Sequence, residues 1–176
     1  EEKFGTGYSR SIVKSYFVAL NNLIPICVKL KKWGEVEELI NKLETIEERS
    51  LKSHFSDEIS SRVFLQASIG KLALFTRLGR SEEGRELVLN LEERLSYIRD
   101  YHRKYVVLHL YFNASYFMFS IGEYSKSLKW LNLILNDTDI RSVEDLHAST
   151  RLLTMILQFE LGRSEMLEYL ARSTYR

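Results

Sequence analysis

Apolar residues recur along this chain at steps of three and four, separated by short polar stretches that contain Gly, Asn or Ser. That period is the mark of amphipathic helices. The first run starts at Tyr8 and carries Ile12, Tyr16, Ala19, Leu20, Leu23, Ile24 and Cys27. Pro25 lies inside it. A proline there removes one backbone hydrogen bond and crowds the preceding turn, which predicts a kink or break near Leu23, helped by Asn21 and Asn22. The run stops at Lys31-Lys32-Trp33-Gly34. A second helix then places Val36, Leu39, Ile40, Leu43 and Ile46 on one face, with Glu35, Glu37 and Glu38 near its positive end. From Arg49 to Ser56 the period is lost, which predicts a loop.

Ser56 opens the third helix, with Val63, Phe64, Ala67, Leu72, Leu74, Phe75 and Leu78 apolar. Gly79 suits the left-handed position that closes a helix. Ser81, Glu82 and Glu83 suit the start of the fourth, which carries Leu87, Val88, Leu91, Leu95 and Ile98. A long aromatic helix follows up to Gly122, and a sixth helix begins at once and ends in the polar run Asn136 to Asp139. The seventh, from about Ser142 to Leu161, carries Leu146, Leu152, Leu153, Ile156, Leu157 and Phe159. After Gly162 an eighth helix carries Met166, Leu167, Tyr169 and Leu170. Residues 1–7, with two Gly and no period, read as a frayed leader or as the end of an earlier element.

The turns resemble one another. Leu78-Gly79-Arg80-Ser81-Glu82 and Leu161-Gly162-Arg163-Ser164-Glu165 nearly coincide, and Ile121-Gly122-Glu123-Tyr124-Ser125 has the same form. Gly79 and Gly122 are 43 residues apart, and Gly122 and Gly162 are 40 apart. The early turn Lys31-Lys32-Trp33 joins this set when Trp33 is matched to Tyr124. A fixed spacing of this size in a helical chain predicts stacked hairpins, because one hairpin cannot bury its apolar stripe alone. The hairpins fall at roughly 8–50, 56–98, 100–136 and 141–172.

On these residues the chain resembles a degenerate, long-period tetratricopeptide-type repeat. Tyr111 stands at the bulky opening position, Gly122 and Tyr124 at the turn, Ser127 at the small contact position, and Leu131 and Ile134 at the later apolar positions. Gly84 falls where Ser127 does. The family's Leu-Gly pair is replaced by Ala114-Ser115, and the period exceeds the usual ~34 residues. The resemblance implies an all-α fold: a right-handed superhelical array (alpha-alpha superhelix) of about four antiparallel hairpins, and a non-catalytic scaffold that binds a protein or peptide in its concave face. In that register His109, Phe112, Tyr116 and Phe119 face the groove, while Tyr111, Ala114 and Met118 face the partner helix. Gln66 and Arg77 are the matching positions one repeat earlier, and Phe159 is the one a repeat later. Burial of the same aromatics as ordinary core is the competing reading.

Composition narrows the remaining classes. The chain has 176 residues, 45% hydrophobic and 28% charged, with one Pro and eight Gly. This suits one domain over residues 1–176 and argues against a β-rich fold. The net charge of +1 gives no general attraction to nucleic acid. Arg94, Arg99, His102, Arg103 and Lys104 interleave with Tyr97, Tyr101 and Tyr105, a pattern able to grip single-stranded nucleic acid. Glu92, Glu93 and Asp100 dilute it, and helix-end solvation explains it more simply. His54, His102, His109 and His147 form no metal-binding pair, and no cofactor, phosphate loop or catalytic set is evident. The lone Cys27 lies in an apolar run and reads as core. No signal peptide or apolar run of about 18 residues is evident, so a cytoplasmic location without membrane insertion is expected. The ends suggest a piece of a longer repeat protein, with self-association or pairing to more of its own array as the alternative function.

Overall fold

Among the described residues four hold a left-handed backbone: Lys31, Gly79, Gly122 and Gly162, with φ of 57°, 67°, 78° and 69°. Each closes one helix and starts the next. The residue after each donates its N–H back five residues: Lys32 to Cys27, Arg80 to Phe75, Glu123 to Met118 and Arg163 to Gln158, at 2.9–3.0 Å. Lys31, Gly122 and Gly162 also donate back three residues, to Val28, Phe119 and Phe159. This is the Schellman arrangement, which satisfies carbonyls the helix end leaves free. Lys32, Arg80 and Glu123 then accept from Val36, Gly84 and Ser127 in the first turn of the following helix. The reversal is therefore only two or three residues long.

A computed structural model describes residues 10–52, 57–98, 104–137 and 144–174. Among these the regular structure is all helical. The order is α1 (Arg10–Lys29), α2 (Trp33–Lys52), α3 (Asp57–Leu78), α4 (Ser81–Ile98), α5 (Lys104–Ser120), α6 (Tyr124–Leu135), α7 (Glu144–Glu160) and α8 (Ser164–Thr174). The leader at 1–7, the Ser56 cap, the close of the polar run at 138–139, and His54, Arg99, Tyr101, His102 and Arg103 lie outside the described residues. The chain divides into two compact units, Glu1–Leu74 and Phe75–Arg176, the boundary falling inside α3.

In the first unit α1 is continuous through Pro25, so the break anticipated near Leu23 does not occur. Pro25 is exposed, between buried Ile24 and Cys27. The Asn21 carbonyl, four residues before Pro25, is the one that loses its helix donor, and Asn21 is itself half-exposed. The core joins Phe17, Leu20, Ile24 and Cys27 of α1 to Val36, Leu39, Ile40, Leu43 and Ile46 of α2, with Val63, Ala67 and Leu74 of α3. A Cβ on Gly70 would lie 3.2 Å from the Ile40 side chain, so α3 crosses α2 closely there. Lys71 pairs with Glu44 across the same two helices. α2 runs on to Lys52, past the predicted loop start at Arg49. Glu47, Glu48, Arg49, Leu51 and Lys52 are good helix formers, and propensity carries the backbone on after the apolar period stops.

In the second unit α5 and α6 form the closest hairpin. Ser115 and Ser127 are both fully buried; Ser127 Oγ donates to the Ser115 carbonyl at 2.8 Å and lies 2.8 Å from Ser115 Oγ. Two small residues let the helices approach, and their hydroxyls satisfy each other. Tyr111 and Trp130 meet at a tilt of 45°, ring centroids 5.5 Å apart. α4 meets α5 through Gly84: a Cβ there would sit 2.0 Å from the Phe117 ring, which is fully buried. Gly84 is thus a socket for an aromatic ring, which offsets its ~1 kcal/mol helix cost.

Gly122→Ala meets no side chain within 4 Å, so its cost is conformational alone. It should lower stability by about 1–2 kcal/mol in urea unfolding, and Lys31→Gly should raise it by about 0.5 kcal/mol. Gly84→Ala should destabilise by about 1–3 kcal/mol despite its better helix propensity. Phe117→Leu in the same chain should recover part of that loss, visible as coupling in a double-mutant cycle.

Candidate functional site

Each first helix of a hairpin has three faces when residues are counted back from the left-handed turn residue. On α5, Leu108, Tyr111, Ser115 and Met118 are buried, and Tyr111 and Ser115 meet α6. Leu110, Ala114 and Phe117 are buried on a second face, where Phe117 meets Gly84 of α4. The third face holds His109, Phe112, Tyr116 and Phe119, which stand thirteen, ten, six and three residues before Gly122. His109, Phe112 and Phe119 are half-buried, and Tyr116 is exposed. The aromatics there lean on each other. Tyr105 and His109 have ring centroids 4.3 Å apart, Tyr116 and Phe119 6.3 Å, and Phe119 and Tyr124 5.8 Å. Tyr105 itself is exposed and extends the row by one turn.

Helix α7 packs beside α5 and repeats this face. Leu152, Ile156 and Phe159 stand ten, six and three residues before Gly162, as Phe112, Tyr116 and Phe119 do before Gly122. All three are exposed, Phe159 by 70%. Phe159 was anticipated from the repeat register. Leu152 and Ile156 were not, although the same count from Gly162 identifies them. Arg77, exposed at the end of α3, stands two residues before Gly79 and so aligns with Ser120, one step off the aromatic row. Gln66 keeps the His109 position and is half-buried, but it belongs to the first unit while the other candidates belong to the second.

Burial pushes the His109 imidazole pKa below its ordinary value of 6.5. The ring is therefore neutral at neutral pH and presents aromatic surface rather than charge. Around Cys27 the effect runs the other way. Its thiol is buried and donates to Glu35 Oε2 at 3.6 Å, and burial followed by that carboxylate raises its pKa. Lys32 binds the other Glu35 oxygen at 2.8 Å, which holds the Glu35 carboxyl below the usual carboxylate range. A buried thiol beside an anion is the reverse of an activated nucleophile.

Other chemistry finds little support in the geometry. A cleft of about 170 Å³ lies among α4, α5 and α6, lined by Glu92, Leu95, Tyr111, Lys129, Trp130 and Leu133. It falls below the ~300 Å³ of a small-molecule site, and the Lys129–Glu92 pair at 3.0 Å joins two of its walls. On α7, His147 Nε2 and Gln158 Oε1 are buried without a partner, but eleven residues of helix separate them by about 16 Å, so they do not converge. Among the described residues no group of three or more His, Cys, Asp or Glu could hold a metal. Of the basic cluster, Arg94 is half-buried on α4 and Lys104 pairs with Asp137. One helix, over Ile12–Lys29, is long and apolar enough by length and composition to cross a membrane. The sequence pattern concealed this because Lys14, Asn21 and Asn22 interrupt the apolar run.

Compared with protein-family models, with curated proteins and with solved structures, the chain matches none.

In a proton NMR titration the His109 ring should show its midpoint below 6.5. A folded-state pKa below the unfolded one means that stability is fully present above 6.5 and is lost as pH falls through the lower value. His109→Phe should flatten the stability profile over that window. A midpoint at or above 6.5 would show an open or charge-paired ring.

Proposed function

We propose that the chain is a non-catalytic binding module of long-period tetratricopeptide-like hairpins wound as a right-handed superhelix, and that it takes a protein or peptide segment along the third faces of α5 and α7. The observation that carries the reading is the repetition of apolar side chains, exposed on α7 and exposed or half-buried on α5, at matched positions of two neighbouring helices: Phe112 with Leu152, Tyr116 with Ile156, and Phe119 with Phe159. Scattered surface hydrophobics need no explanation, whereas a contiguous row marks an interaction surface. The chemistry of the row is apolar and aromatic, with hydroxyl tips at Tyr105 and Tyr116 and a neutral imidazole at His109. That composition suits apolar anchors of a peptide better than a phosphate or a metal. His109, Phe112, Tyr116 and Phe119 are the contacts on α5, and Leu152, Ile156 and Phe159 those on α7.

Selection of a phage-displayed random dodecapeptide library tests this. The wild-type chain should enrich peptides with two or more aromatic or aliphatic anchors. Tyr116→Ser, Ile156→Ser and Phe159→Ser together should abolish the enrichment. All three side chains are exposed, so the melting temperature should stay within a few degrees. Enrichment that survives the triple substitution would move the site elsewhere.

A further inference from the structure

Counting back from the turn glycine adds one more matched pair to the rows of α5 and α7. Tyr105 stands seventeen residues before Gly122, and Asp145 stands seventeen before Gly162. On α7 the side chains of Leu152, Ile156 and Phe159 leave the helix within an arc of about 60°, and Asp145 falls near the middle of that arc. It is exposed, as they are. It stands at the start of the row, about 10 Å along the axis from Leu152 and about 21 Å from Phe159. The bond that Ser149 Oγ donates to Asp145, at 2.9 Å, goes to the main-chain carbonyl and does not use the carboxylate.

Asp145 supplies the one charge inside these rows. On α5 the row of Tyr105, His109, Phe112, Tyr116 and Phe119 contains no acid, and burial keeps the His109 ring neutral. Lys104, the one formal charge of that helix, pairs with Asp137. On α7 the other charges lie off the arc. Glu144 and Arg151 are about 100° and 120° round from Asp145 on one flank, and Glu160 is about 60° round on the other. Glu160 adds the same sign near the far end, where Arg163 of the turn offsets it. An acid in the first turn also suits the helix dipole. Glu144 already meets that need away from the row, so the dipole does not explain why an acid stands in line with the apolar anchors.

We infer that the segment held along α5 and α7 is a cationic amphipathic one, with two or three apolar anchors and, ahead of them, a lysine or arginine that meets Asp145. This rests on the binding row proposed above and states what the row selects. In an extended ligand the ~10 Å from Asp145 to Leu152 is about three residues, which sets the offset between the cation and the first anchor. An acidic segment with the same anchors would set its own carboxylate against Asp145.

The test repeats the dodecapeptide selection on the wild type, on Asp145→Asn and on Asp145→Lys. Peptides from the wild type should carry Lys or Arg about three residues to one side of the first anchor, with Asp and Glu depleted. Selection on Asp145→Lys should keep the apolar anchors and lose the basic preference. A fluorescein-labelled peptide from the wild-type pool should bind Asp145→Asn about two- to fivefold more weakly and Asp145→Lys about tenfold more weakly, with both gaps closing as salt is raised. A twin with Gln in place of the basic residue should bind all three proteins alike, whereas a merely structural role for Asp145 would weaken both peptides. Anchored peptides without a basic preference, or a preference that survives Asp145→Lys, would overturn the inference and leave the row standing. No enrichment of anchored peptides on any of the proteins would remove the row and the inference together.

Discussion

The left-handed residue at each hairpin turn is the constraint from which the rest of the structure follows. It reverses the chain in two or three residues and ties the outgoing helix to the incoming one through the bond that reaches back five residues. Once Lys31, Gly79, Gly122 and Gly162 hold that conformation, the rotational position of every residue on the first helix of each hairpin is set by its distance from the turn. On α5 the residues four, seven, eleven and fourteen back are buried, and Tyr111 and Ser115 among them meet α6. Those five, eight and twelve back are buried on a second face, where Phe117 meets Gly84 of α4. Those three, six and ten back are left over, and on α5 and α7 they are aromatic or aliphatic.

Packing enforces this register at a few points of close approach. Gly84 admits the Phe117 ring where a methyl group would collide with it, and Ser115 and Ser127 close the α5–α6 hairpin with paired hydroxyls. A one-residue slip at either point would drive a large side chain into a helix backbone or leave a buried hydroxyl without a partner. The open row of α5 is then set by burial on that helix's other two faces, and α7 carries exposed apolar residues at three of the same positions before its own turn.

Much of the helical plan was legible because Gly and apolar spacing leave plain marks. Gly79, Gly122 and Gly162 announced three turns. Lys31 left no such mark, since lysine rarely adopts the conformation it holds here, and the early turn at Lys31-Lys32-Trp33 joined the set only through the match of Trp33 to Tyr124. The α1 run joined buried Leu20, Ile24 and Cys27 with exposed Ile12, Tyr16 and Leu23 in one list, because apolarity records that a residue wants cover without saying which neighbour provides it. Leu152 and Ile156 were grouped with core residues of helix seven for the same reason. Pro25 does not break α1; the cost of a proline inside a helix depends on whether the carbonyl it orphans can reach solvent, and the apolar spacing does not record on which face Pro25 falls. The aromatic face of α5 was legible as a pattern, whereas its exposure depended on which helices cover α5.

Thiol labelling is the most direct measure of a ligand lying across α5 and α7. Cys27, the lone cysteine, is buried and can be replaced by Ala. Single cysteines at Tyr116 and Ile156, with Ser125 as an exposed control, would be reacted with a maleimide in the presence and absence of a library-selected peptide. The account predicts fast labelling at both sites without peptide, and slowing at both together, but not at the control, when peptide is bound. Protection at one site alone, or at neither, would contradict it.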